Sequence, residues 1–155
     1  MNNYEQKVSD FLNQKTIAIA GVSRNPQGEV GNAIYKKFKE NKFNIYPVNP
    51  NVEMIEGDKC FPNLKSVPEK VNAVFIATSP AVSTEIVKQS IEAGVKTVWF
   101  HRAMGNGSFS EEAAKLGEEN GLTVIRGGCP MMYIDKVDPF HKMLRFLMKL
   151  FGKLK

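Results

Sequence analysis

Three glycines and the residues around them are the part of this 155-residue chain best suited to chemistry. The stretch Lys15-Thr-Ile-Ala-Ile-Ala-Gly-Val-Ser-Arg-Asn-Pro-Gln-Gly-Glu-Val-Gly31 begins apolar and β-branched, breaks at Gly21, passes Gly28 and Gly31, and turns helical in pattern. A strand, a glycine loop and a helix in that order aim backbone N–H groups and the positive end of a helix at one point, where a phosphate is stabilised. Gly21, Val22, Ser23, Arg24, Gly28 and Gly31 are therefore candidates for a phosphate cradle. Their spacing is longer than the G-x-G-x-x-G of NAD-binding folds. The place about 20 residues on, where such folds carry an acid for the ribose, reads Pro47-Val-Asn-Pro-Asn51. A nucleotide-bearing ligand is expected, with NAD disfavoured and nothing in the turn that favours NADP.

Other loops carry groups of the same kind. Asn49, before Pro50, suits a hydrogen bond to a ribose or base, and suits a turn nearly as well. Thr78, Ser79 and Pro80 offer hydroxyls and helical N–H groups to a pyrophosphate or amide, and plain helix capping explains them equally. In His101-Arg102-Ala-Met-Gly-Asn-Gly-Ser108, Arg102 suits a phosphate or carboxylate clamp. The sequence supplies His101 with no nucleophile or orienting partner, so it reads as structural rather than as a general base. Cys129, in Gly127-Gly-Cys-Pro-Met-Met132, would be reactive if a phosphate site depressed its pKa, although a buried cysteine behaving as a small hydrophobe is the commoner outcome. No catalytic residue is assigned. Two cysteines and two histidines at these spacings make no metal site.

An alternation of strands and helices must position these loops. Apolar runs at 16–20, 43–48, 73–78, 97–100 and 123–126 read as strands covered on both faces. Helical patterns fill 30–41, 80–93 and 109–120, with Gly94 and Gly121 placed as left-handed C-caps. Ser79-Pro80 supplies an N-cap and a first-turn proline, and Ser108-Phe-Ser-Glu111 reads as a capping box. Residues 52–71 hold turn formers and a short helix near 64–69. The pattern predicts an α/β, Rossmann-like, doubly wound sheet of about five parallel strands in the order 3-2-1-4-5. Ligands of such sheets bind beyond the carboxyl ends of the strands.

By size the chain is one domain, residues 1–155, with 43% hydrophobic and 24% charged residues, as in an ordinary soluble protein. No run reaches the roughly 20 apolar residues of a membrane span. Met1-Asn-Asn-Tyr-Glu-Gln-Lys-Val lacks a signal-peptide layout, so a cytoplasmic protein with free thiols is expected. The net charge of +5 belongs to the end of the chain: residues 1–135 hold 15 basic and 15 acidic residues, whereas 136–155 hold six basic residues against Asp138. In that segment Phe140, Met143, Leu144, Leu147, Met148, Phe151 and Leu154 recur at helical spacing opposite Lys142, Arg145, Lys149 and Lys153, after an Asp138-Pro139 start. The preferred reading is an amphipathic C-terminal helix packed on the sheet or on a second subunit, which leaves room for a homo-oligomer. A membrane-surface helix is the alternative and is disfavoured. Nucleic acid is weaker still, because the chain shows no stacking platform.

Gly21-Val-Ser23 with Pro26 and Gly31, Tyr46-Pro-Val-Asn-Pro50, Gly57-Asp-Lys-Cys-Phe-Pro62, Val98-Trp-Phe100 and Cys129-Pro130 form a joint pattern. Over roughly residues 10–134 it resembles the small bacterial and archaeal CoA-binding domain proteins, which are similar to the CoA-binding N-terminal domain of the succinyl-CoA synthetase α subunit. The resemblance implies that the first loop cradles the CoA diphosphate, with Asn49, Pro50, Thr78, Ser79 and Pro80 lining the adenosine and pantetheine path. The chain departs from many relatives at Asn51, where they carry a basic residue that bears on the 3′-phosphate. It also lacks the phosphohistidine and ATP-grasp portions of the synthetase. The expectation is a protein that binds CoA or an acyl-CoA, a small-molecule nucleotide ligand, without catalysis of its own. The alternatives are an NAD(P)-linked oxidoreductase or acyl-CoA-handling enzyme using Cys129 or His101, and an adaptor docking to a membrane or partner through its tail helix.

Overall fold

The computed structural model describes residues 2–24, 29–103, 105–134 and 136–154. The chain runs α1 (Asn3–Leu12), β1 (Ile17–Ala20), α2 (Val30–Glu40), β2 (Ile45–Val48), a hairpin of β3 (Met54–Ile55) and β4 (Asp58–Lys59), β5 (Ala73–Ile76), α3 (Pro80–Glu92), β6 (Thr97–Phe100), α4 (Glu111–Glu119), β7 (Thr123–Ile125) and α5 (Pro139–Leu150). The five apolar runs form one parallel sheet, the α/β arrangement that alternating strands and helices predict. Side chains alternate across it. Ile17, Ile19, Phe75, Trp99 and Ile125 face a core closed by α1, α2 and α5, while Ala18, Ala20, Val74, Ile76, Val98 and Phe100 face one closed by α3 and α4. Trp99 is fully buried, and its indole N–H donates to the Gly127 carbonyl at 2.8 Å.

The strand order differs from the expected one. The sheet reads β2-β1-β5-β6-β7, so the third long strand lies beside β1 and not beyond β2. Its entry is fixed by Thr16, whose carbonyl accepts from the N–H groups of Asn72 and Ala73 at 2.9 and 3.2 Å. The place outside β2 is taken by a single bridge, Val48 to Phe61. Residues 52–71 are broken by Gly57, Pro62 and Pro68, and too few consecutive N–H groups remain to pair along that edge. They form the β3–β4 hairpin and, where a short helix is expected, a single 3-10 turn at Leu64–Ser66.

Three further expectations are corrected. Helix α1 has no counterpart in the sequence reading, although Asn2 caps it by accepting from the Glu5 N–H at 2.7 Å and Tyr4, Val8 and Phe11 give it a buried face. The capping hydroxyl of α4 is Ser110, which accepts from the Ala113 N–H. Ser108 instead donates to the carbonyls of Ile76 and His101. In α5, capped by Asp138, Leu144 and Met148 are buried, as is Leu154 beyond it, whereas Phe140, Met143, Leu147 and Phe151 stand exposed.

Candidate functional site

β1 and β5 are neighbours whose chains leave for opposite faces, β1 to α2 and β5 to α3. A crevice opens at the carboxyl ends of strands where that divergence occurs. Backbone packing at its floor depends on two glycines. Gly21 has φ +103°, and a Cβ there would lie 2.5 Å from the Ala77 carbonyl carbon and 2.8 Å from the Thr78 nitrogen. A Cβ on Gly31 would overlap the Gly21 carbonyl oxygen and lie 2.8 Å from its carbon. Main chain therefore meets main chain on both sides of Gly21, and the first turn of α2 is drawn against the end of β1. Glu29 occupies the N-cap of this 11-residue helix without a side-chain capping bond. The first-turn N–H groups have no acceptor within the helix and none from the cap residue.

Two of the amides expected to face a phosphate are engaged within the protein. Gly21 N–H continues the ladder to the Val48 carbonyl at 3.3 Å, and Ser23 N–H donates to Asn32 Oδ1 at 2.7 Å. The Asn32 amide in turn donates to the Ser23 carbonyl at 2.9 Å, so one buried side chain clips both main-chain groups of Ser23. The sequence reading passed over Asn32. Its spacing of three from Tyr35, on the buried face of α2, was the available signal. Gly28 lies outside the described residues, and Arg24 is exposed at the last described position of the loop. The candidate cradle thus narrows to the start of α2, held in place by Gly21, Gly31 and Asn32.

Asn49 fastens the neighbouring wall. Its amide donates to the Val22 carbonyl at 2.6 Å, and its Oδ1 accepts from the Asn51 N–H at 2.8 Å. Of its two expected roles the turn is visible, joined to a tie between the loops after β1 and β2. Pro50 is exposed beside it. On the other wall Thr78 Oγ1 lies 3.0 Å from Ser83 Oγ, and Ser83 reaches the Ser108 carbonyl at 2.7 Å. Through Ser83, buried on α3, these hydroxyls tie the loop after β5 to the loop after β6. Ser79 and Pro80 start α3 on the exposed rim, and Ser79 makes no side-chain capping bond.

Arg102 lies elsewhere. It belongs to a cavity of about 260 Å³ near the ends of β6 and β7, lined also by Tyr4, Arg126, Met148 and Lys153. Its Nε donates to the Gly105 carbonyl at 3.2 Å, and its guanidinium lies 5.0 Å from the Phe109 ring centre. Arg126 is matched by Glu111 and Glu118, each at 2.9 Å. Among the described residues Arg102 is paired with no carboxylate.

Burial sets the protonation of both groups considered for catalysis. Burial lowers the pKa of His101, with His141 adding a repulsive charge, so its ring is neutral near pH 7. Burial pushes the Cys129 thiol up to about 11 and keeps it protonated at neutral pH, the opposite of activation. Cys60 is buried and raised in the same direction.

A family model described as a CoA binding domain matches residues 15–135. The chain is similar to acetate–CoA ligase (ADP-forming) II of Archaeoglobus fulgidus, 32% identical over 111 residues, which cover 70% of this chain and 16% of the ligase. It thus spans less than a fifth of that relative's length. Among solved structures, a hypothetical protein of Pyrococcus horikoshii superposes with TM-score 0.75 at 29% identity, covering 93% of each chain. The dinucleotide-forming acetyl-coenzyme A synthetase 1 of Ca. Korarchaeum cryptofilum superposes with TM-score 0.64 at 26% identity, over 76% of this chain and 27% of the synthetase.

Proposed function

Because the chain belongs to the CoA-binding domain family, we propose that it binds coenzyme A or an acyl-CoA with the ligand's diphosphate at the start of α2. The carrying observation is the triple main-chain approach of Gly21, Gly31 and Ala77, which no larger residue permits and which brings uncapped helical N–H groups to the mouth of the crevice. Such an N-terminus favours a diphosphate through its N–H groups and the helix dipole. Val22, Ser23 and Arg24 would border the diphosphate. Asn49 and Pro50 would line one wall of the path, and Thr78, Ser79 and Pro80 the other. Gly21 and Ser23 act here through shape, since their own amides are already bonded. Arg102, paired with no carboxylate among the described residues, would clamp a phosphate or carboxylate of the ligand. We assign no catalysis. The protonated Cys129 supports binding over turnover.

A thermal-shift panel of CoA, dephospho-CoA, acetyl-CoA, NAD and NADP tests the reading. At 100 times Kd a ligand adds about 2.7 kcal/mol of stability. At roughly 2–4 °C per kcal/mol, that is a shift of several degrees. CoA and acetyl-CoA should both give it. Dephospho-CoA should come within about threefold of CoA in affinity, well under the 1.4 kcal/mol of a tenfold change, because Asn51 stands where a cation for the 3′-phosphate is expected. A shift with NAD or NADP and none with any CoA species would overturn the assignment.

A further inference from the structure

We propose that α5 is a surface-lying membrane anchor that docks the protein on an anionic lipid leaflet. Six large apolar side chains on and just after this helix are exposed: Phe140 54%, Met143 54%, Phe146 65%, Leu147 37%, Leu150 66% and Phe151 70%. At about 100° per residue they share an arc of about 140°, a continuous stripe rather than scattered single residues. The helix presents this stripe while already fixed to the body by different groups. Leu144 and Met148 are buried beneath it, Arg145 and Lys149 both pair with Glu5, and the Arg145 guanidinium lies 4.3 Å from the Tyr133 ring centre. No rearrangement is needed to expose it. Among the described residues no helix is long and apolar enough to cross a membrane, so the helix would lie along the surface.

Charge selects the occupant. The whole positive excess of the chain lies in residues 136–155, with Lys142 and Lys153 exposed beside the stripe. Among the described residues the acids near it are engaged: Asp138 holds His141 Nδ1 at 2.6 Å, and Glu5 faces two cations at once, which leaves that cluster net positive. A second copy seated on the stripe would bring an identical cationic flank against this one. An anionic leaflet instead accepts the apolar stripe and neutralises its flank, the combination by which interfacial helices bind.

The test is co-sedimentation of the full chain with vesicles of phosphatidylcholine alone and of phosphatidylcholine mixed with phosphatidylglycerol. The expected result is binding to the mixed vesicles, weakened several-fold by raised salt or by Lys142→Glu, and weakened at least tenfold by Phe146→Asp with Leu150→Asp. Both apolar positions are solvent-facing, so melting temperature and the CoA-induced shift should survive in the variant; that checks its fold independently of lipid. Failure to bind the mixed vesicles overturns the proposal, as does equal binding to both vesicle types. A dimer in vesicle-free buffer that Phe146→Asp dissolves overturns it in favour of a second copy.

Discussion

At the scale of single residues the crevice rests on a few atoms with no room to spare. Alanine is a better helix former than glycine by about 1 kcal/mol, so Gly31→Ala would stabilise an unencumbered helix. Here the added methyl overlaps the Gly21 carbonyl, and main chain cannot turn aside as a flexible side chain can. Overpacking of this kind costs typically 1–3 kcal/mol. Gly31→Ala should therefore lower the melting temperature and abolish the CoA-induced shift together. Asn32→Ala should separate the two effects. Ser23 is half-buried and water can replace one partner, so the stability loss should be about 1 kcal/mol, at the low end for a lost buried hydrogen bond. CoA affinity, measured by calorimetry, should fall at least tenfold because the loop loses its clip. Unchanged affinity in Asn32→Ala would remove Asn32 from the site. The glycines were legible in the sequence because their types and positions break an apolar run. Asn32 was not, since a polar residue in a helix looks the same whether it meets solvent or folds back on a loop.

Among the elements, the strands and the helices between them could be read from apolar runs and glycine stops. Gly94 and Gly121 do take positive φ at the ends of α3 and α4. Ser108 and Ser110 lie two residues apart and both precede acids, and only the buried carbonyls of Ile76 and His101 decide which of them caps. Docking of α5 shows a similar limit. Periodicity gave its amphipathic character but not which of its apolar residues are buried, and Glu5, nearly the full chain length away, decides that Arg145 and Lys149 turn toward the body. The hydrogen bonds and charges of Lys149 and Arg145 hold the Glu5 carboxyl at about 2, below its ordinary 4.5. A carboxylate depressed on folding stabilises the folded state above its unfolded value, and that contribution is lost as pH falls toward the folded one. The α5 contact should therefore weaken between about pH 4.5 and pH 2. Glu5→Gln should lower the melting temperature slightly at pH 7, as expected of an exposed pair, and flatten the acid dependence over that window. A melting curve that responds to acid identically in the variant would place the α5 attachment elsewhere.

For the molecule as a whole, the two cores and the crevice must open together if the sheet is one cooperative unit. The expected strand order failed because helical and apolar periodicity say nothing about which edge of β1 a returning strand will join. That choice fell to Thr16, Asn72 and the broken 52–71 segment. The resulting sheet places Cys129, 4% exposed, against α5 and the end of the sheet, and Cys60, also 4% exposed, beside the peripheral β3–β4 hairpin. Both thiols are protonated and inaccessible in the native state, so a thiol reagent reaches them only through opening. Peripheral hairpins open at lower free energy than central strands. Cys60 should therefore label first and Cys129 last, at the rate of global unfolding. CoA at 100 times Kd should slow Cys129 labelling by about 100-fold, the same mass-action factor that raises the melting temperature, because the start of α2 and the Cys129 core belong to one unit. Labelling of Cys129 that ignores CoA while the melting temperature rises would show that the crevice and the central sheet come apart separately.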